Sequence, residues 1–196
     1  MKFKIFDLWS IEEVKVEDPG LRRYVNLDSR LVPKTRGKER ERFSKAKFNI
    51  VERIINLLEI AGHRGKKHKI QTKSAGKYYS NAKVVLEALK IIESRTKQNP
   101  IAVIVKAIEN AAPCDETTTI EYGGARYLQA VDTAPIRRLN LALRNVVHGA
   151  FDKAFRNKRK LPEALADEIV FAFQNDSKSA AIARKNELER QADAAR

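Results

Sequence analysis

Apolar residues recur at helical spacing in five stretches of this 196-residue chain, and in one stretch the period changes. Val51, Ile54, Ile55 and Leu58 make the first stripe, following Asn49, whose side-chain oxygen suits an N-cap. Gly62 is expected to close that helix in the left-handed conformation. Ser80 is expected to cap a second helix that buries Val84, Val85, Ala88, Leu89 and Ile92. Asn99-Pro100 opens a third, because Asn caps and proline at the first helical position forfeits no hydrogen bond. Its stripe is Ile101, Ile104, Val105, Ile108 and Ala111, with Pro113 beyond the end. Asp132-Thr133 should cap a long helix from about Pro135 to Phe155, with Ile136, Leu139, Leu143, Val146, Val147, Ala150 and Phe151 inward. A fifth helix, about Glu163 to Phe173, packs Leu165, Ile169 and Phe173, and "SAAIARKNELERQADAAR" closes the chain as a polar, fraying helix.

The exception is "TTTIEYGGARYLQAVD", residues 117 to 132, where β-branched and aromatic residues favour strand. Gly123-Gly124 supplies the positive-φ pair of a tight turn, so a two-stranded hairpin is predicted at about 116–131. An isolated hairpin is marginal in water and must lean on the body or on a partner. Residues 1–33 show weak periodicity, punctuated by Pro19-Gly20 and Pro33, and read as an N-terminal arm that Phe6 and Trp9 anchor. The fold class is therefore mainly α: a bundle of about six helices with one two-stranded β-hairpin. The arm spans 1–33 and a single domain spans 34–196, a length one apolar core can serve.

Charge sharpens this picture. The chain holds 39 Lys and Arg against 25 Asp and Glu, a net charge of +14. A surface-charged thermophile protein would balance those signs; a nucleic-acid binder would not. The excess is also segregated. Residues 34–47 carry net +5, residues 62–83 net +7 and residues 126–160 net +7, while residues 1–20 and 161–196 each carry −2. No Asp or Glu occurs from Ile60 to Leu86. Crowded like charges are costly unless something outside is negative, and one-sign fields point to a polyanion. A membrane surface is anionic too, but these cations fall in loops and beside prolines rather than on one face of an amphipathic helix.

Other chemistry is absent from the pattern. No run of 18 apolar residues would span a membrane, and the first residues meet acids too early for a secretory signal. Cys114 is alone, so no internal disulfide forms, which fits a reducing cytoplasm. Gly65-Lys66 and Gly76-Lys77 lack both the leading glycine and the Ser/Thr of a phosphate-binding loop. His63, His68 and His148 have no metal-ligand spacing, and Glu12-Glu13 sit in an acidic arm without an apolar pocket. No catalytic residue, cofactor or metal is expected.

Proteins that read duplex DNA present one helix of base-reading residues. Here the cations spread over loops, an arm, a hairpin and the flank of one helix, where Arg137, Arg144 and His148 align and Arg138 lies beside them. That suits folded RNA with several surfaces. Phe43, Phe48, Tyr78, Tyr79, Tyr122 and Tyr127 lie among the charges and offer faces for unpaired bases. Packing is the simpler reading for each except Tyr78 or Tyr79.

The segments "KFNIVERIINLLEIAG", "GKK", "VLEALKIIESRTKQNPIAVIVKAIENAAP", "GGARYLQAVDTAPIRRLNLALRNV", "AFRNKRKLPEALADEI" and "KNELER", in this order, resemble the family of ribosomal protein seven of the small subunit. The resemblance runs from about Lys34 to Arg196, and the long arm, "GGARYLQAVD" and "KNELER" look like its archaeal and eukaryotic branch. It implies a helical body with a protruding hairpin. It also implies binding to the 3′ major (head) domain of small-subunit rRNA, nucleation of head assembly, and a cytoplasmic place on the ribosome near the exit-site tRNA and the mRNA exit. Contact with small-subunit ribosomal protein eleven and neighbouring head proteins is implied as well. The family's rRNA-contacting parts fall here on Lys34, Arg36, Lys38, Arg40, Arg42, Lys45 and Lys47, on Arg64, Lys66, Lys67, Lys69, Lys73 and Lys77, and on Arg126, Arg137, Arg138 and Arg144.

Overall fold

The structure is a computed structural model, and it describes residues 4–29, 43–64, 68–69 and 74–196. Among these, a one-turn helix α1 (Pro19–Arg22) precedes α2 (Ile50–Glu59), α3 (Tyr78–Thr96) and α4 (Pro100–Ala111). The strands β1 (Asp115–Tyr122) and β2 (Ala125–Asp132) follow, then α5 (Pro135–Ala154), α6 (Leu161–Phe173) and α7 (Ala180–Ala194). Six longer helices and one hairpin match the fold class read from the pattern.

Helix α6 is the hub. Pro162, Ala164, Leu165, Ala166, Ile169 and Ala172 are all buried, so it is apolar nearly all round and packs against α3, α4 and α5 at once. Its alanines keep the neighbouring backbones close. Val85, Ala88, Leu89 and Ile92 of α3, Ile101, Ile104, Val105 and Ile108 of α4, and Leu139, Leu143, Val146, Val147 and Phe151 of α5 complete the core. Two start signals act as the sequence suggests. Asn49 accepts from the Val51 amide at 2.8 Å and Asn99 from the Ile101 amide at 3.0 Å, with Pro100 opening α4.

The N-terminal segment is part of this core. Ile5, Trp9, Val14, Leu21 and Val25 are buried in it, with Phe6 packed alongside. The segment follows α4 from end to end: Asn99 Nδ2 donates to the Ser10 carbonyl at 2.7 Å, and Glu109 Oε1 accepts from the Glu17 amide at 2.7 Å and the Asp18 amide at 3.1 Å.

Four expectations about helix ends need correction. Helix α2 stops at Glu59, and Gly62 does not adopt a left-handed conformation; Gly76 does, at φ 65°, and donates its amide to the Glu59 carbonyl. The bend that meets the last turn of α2 thus comes from 17 residues later in the chain. Ser80 lies inside α3, which begins at Tyr78 because that ring is buried. Asp132 and Thr133 do not cap α5: Asp132 ends β2, and Thr133 donates to the Cys114 carbonyl at 2.8 Å, one step beyond the ladder. Nor does α7 fray; Ser179 caps it, Ala181, Ile182 and Ala192 are buried, and Arg196 pairs with Asp115 at the hairpin base.

The hairpin pairs Asp115 with Asp132 through Tyr122 with Ala125. Gly123 (φ 58°) and Gly124 (φ 80°) both take the left-handed values a two-residue turn demands. Opposed residues share a face, so Ile120, Tyr127 and Tyr122 lie on one side and Leu128 on the other. All four are exposed.

Candidate nucleic-acid interface

Of the cations expected at an interface, Lys34, Arg36, Lys38, Arg40, Arg42, Lys66, Lys67 and Lys73 lie outside the described residues. The other nine divide by what they touch. Arg138 turns inward: 16% exposed, it pairs with Asp18 at 2.9 Å and donates from Nε to the Pro113 carbonyl at 3.1 Å. It ties the N-terminal segment and the hairpin base to α5. Arg64, 22% exposed, pairs with Asp152 at 2.6 Å and donates to the Ala61 carbonyl at 3.2 Å and the His148 carbonyl at 3.0 Å. That fork fixes the start of the α2–α3 loop against the last turns of α5. Arg137 pairs with Glu116 of β1 at 2.6 Å, and this hydrogen bond raises its pKa despite partial burial.

The remaining cations face water. Lys69 reaches Asp152 at 3.1 Å but stays half exposed. Arg126 meets Glu121 only loosely, at 3.8 Å, on the hairpin. Lys45, Lys47, Lys77 and Arg144 are exposed, and Lys45, Lys77 and Arg144 make no ion pair among the described residues. Arg144 stands one turn before His148 on α5. His148 is half-buried, and burial first, then repulsion from Arg64 and Arg144, pushes its pKa down to about 4. It is therefore neutral at pH 7, and the charge on this flank of α5 is arginine.

Asp152 was not singled out by the pattern. It is the sole acid between Thr133 and Lys160, and its carboxylate gathers Arg64 and Lys69. Burial alone would raise its pKa, but the hydrogen bonds from Arg64 and Lys69 outweigh burial and the net shift is downward. A lone acid inside a basic block was the available signal.

The aromatic residues also divide. Tyr78 is buried and meets Tyr79 edge-on at 5.6 Å, while Tyr79 is exposed. Tyr122 and Tyr127, for which packing was the simpler reading, stand in solvent, as does Phe43. Among the described residues no group of three His, Cys, Asp or Glu could hold a metal ion, and no helix is long and apolar enough to cross a membrane. A hollow of about 340 Å³ at the hairpin base is lined by Asp115, Ala130, Val131, Asp132 and Arg196, of which Arg196 is paired with Asp115.

A buried helical core that displays solvent-facing cations and aromatic faces suits the class of structural RNA-binding proteins. Residues 21–196 match the family described as Ribosomal protein S7p/S5e, and the chain belongs to it. It is 52% identical over 198 residues to the small ribosomal subunit protein uS7 of Nanoarchaeum equitans, covering 100% of both chains. Identity to the uS7 proteins of Methanosphaera stadtmanae and Methanothermobacter thermautotrophicus is 47% and 46%, covering 97% and 95% of each chain respectively. These relatives are archaeal and so fall within the archaeal and eukaryotic branch that the resemblance implied. The protein is accordingly a non-enzymatic constituent of the small ribosomal subunit, associated with its rRNA.

Proposed function

We propose that this protein binds the 3′ major domain of small-subunit rRNA and nucleates assembly of the subunit head. In this reading the protein sits near the exit-site tRNA and the mRNA exit, with the hairpin tip at Gly123-Gly124 on the tRNA side and helping to contact small-subunit ribosomal protein eleven. One observation carries it: Arg138 and Arg64 are occupied in holding the fold, whereas Lys45, Lys77 and Arg144 are exposed without ion-pair partners among the described residues. Cations left over after the fold is satisfied suit phosphate, which attracts them without reading sequence.

The test is binding to a 3′ major domain rRNA fragment across a salt series, with footprinting of the RNA. Replacing Lys77 and Arg144 together by alanine is expected to flatten the slope of log affinity against log salt by roughly 1 to 2 units. A wild-type chain that ignores the fragment at moderate ionic strength, or that yields it mole for mole to duplex DNA, overturns the reading.

A further inference from the structure

We propose that Asp152 is a positioning residue for RNA binding, so that removing this acid weakens binding although it makes the surface more positive. The inference rests on the RNA-binding reading above. The carboxylate takes Arg64 on Oδ2 at 2.6 Å and Lys69 on Oδ1 at 3.1 Å, and so latches the α2–α3 loop to α5. Around this latch the loop is closed on itself. The Lys69 amide donates to the Gly62 carbonyl at 2.9 Å, and the rings of His63 and His68 meet edge-on at 5.5 Å. Arg64 directs its Nε and Nη2 groups to the Ala61 and His148 carbonyls, at 3.2 and 3.0 Å. In sequence, Lys66 and Lys67 stand between the two anchors.

Charge alone gives no reason for an acid here. Asp152 is the sole acid between Thr133 and Lys160, and it meets a segment, Ile60 to Leu86, that has none. A carboxylate in such a field subtracts from the pull on phosphate. Stability gives little reason either: Arg64, Lys69 and Asp152 are 22%, 47% and 40% exposed, and ion pairs so open to water add little. What the carboxylate supplies is geometry. Its own turn of α5 is fixed, with Gly149, Ala150, Phe151 and Ala154 buried, so what it holds is held against the core. Arg64 keeps two carbonyls without it. Lys69 has no other ion-pair partner among the described residues, so Asp152 ties that side chain to α5.

A loop whose ends are joined before RNA arrives has less freedom to lose on binding. The acid then contributes more by ordering two cations than it subtracts by its charge. Charge counting predicts the opposite sign, so the direction of the effect separates the two accounts.

The experiment is Asp152→Asn, which keeps the shape and removes the charge, measured on the 3′ major domain fragment across a salt series. Affinity is expected to fall by about 3- to 10-fold, because one or two side chains must now be ordered during binding. The slope of log affinity against log salt should stay within about 0.5 unit, since no phosphate contact is lost. The melting temperature should stay within about 3 °C. In a Lys69→Ala background the same substitution should weaken binding less than in wild type, because the two act through one contact. In the free protein, hydrogen exchange at the Lys69 amide should quicken by about 10-fold in Asp152→Asn. Tighter or unchanged RNA binding by Asp152→Asn overturns the latch, as do additive penalties or an unaltered Lys69 amide, and each leaves the RNA-binding function standing. Should Asp152→Asn fail to fold, the wild type decides: its Lys69 amide should be protected before RNA is added. An amide that exchanges freely until RNA binds shows that RNA, not Asp152, orders the loop, and overturns the latch. A wild-type chain that ignores the fragment overturns the latch and the function together.

Discussion

Where α5, α6 and α7 meet, the Glu168 carboxylate is fully buried; at the hairpin tip, Tyr122 is 82% exposed. Each residue is on the side of the surface its polarity would not choose. Glu168 is tolerable because every demand of its charge is met. Lys153 pairs with it at 2.5 Å, and Ser179 Oγ and the Ala181 amide donate to it at 2.7 and 3.0 Å. The backbones come close enough for this because position 149 is glycine: a Cβ there would stand 2.7 Å from that of Ala180. Nothing comparable surrounds Tyr122, Tyr127 or Leu128. The junction is satisfied within the chain, whereas the hairpin's large side chains stand in solvent. Folding constrains the first; the proposed assembly role would constrain the second.

The strongest way to break that contrast is to remove the buried acid. Glu168→Ala strips the acceptor from Ser179 and the Ala181 amide and leaves Lys153 without its partner. Breaking a buried pair from one side costs about 3 kcal/mol or more. The melting temperature should drop by roughly 6–12 °C for a chain of this size. A melting temperature within a degree of wild type would show that the junction is no more demanding than the surface.

A second, smaller effect depends on pH. The folded pKa of His148, about 4, lies below its ordinary value of 6.5 because of burial, then of Arg64 and Arg144. The folded state therefore holds fewer protons between those values, and stability falls as pH drops from 6.5 toward 4. For a ring only half-buried, solvent screening reduces the effect to roughly 1–2 kcal/mol. Asp152, whose pKa is lowered below 3.8, adds its own loss only at more acidic pH. His148→Gln should flatten the unfolding midpoint between pH 6.5 and 4.5 and leave the steeper acid limb. An identical pH profile would mean that the imidazole is solvated like a surface histidine.

How far the sequence reaches also follows this contrast. Stripes such as Ile101, Ile104, Val105 and Ile108 were legible because apolar period alone determines which face is buried. Gly123-Gly124 was legible because few residues other than glycine tolerate that turn. The end of α2 was not, since Gly76 reaches it only after a loop whose path depends on tertiary contacts. The arginines of α5 show the same limit at the site. Arg138 and Arg144 are alike in sequence, yet one holds Asp18 and the other faces water. Only the fold, by placing an acid beside one and, among the described residues, none beside the other, tells structural cation from free cation.

The hairpin offers the smallest change in stability and the most direct reading of the contrast. Ile120, Tyr122 and Tyr127 share one face, Leu128 the other. Truncating exposed side chains seldom shifts stability by more than about 0.5 kcal/mol each. Tyr122→Ala with Tyr127→Ala, and separately Leu128→Ala, should therefore leave the urea midpoint nearly unchanged. Incorporation into reconstituted small-subunit heads should weaken for whichever face meets the partner, because aromatic anchors dominate such contacts once desolvated. Two variants with equal incorporation and wild-type midpoints would make the exposed rings idle. A midpoint that collapses would instead place the hairpin in the folding unit, and the division between a self-sufficient body and a partner-dependent arm would have to be redrawn at Asp115 rather than at the tip.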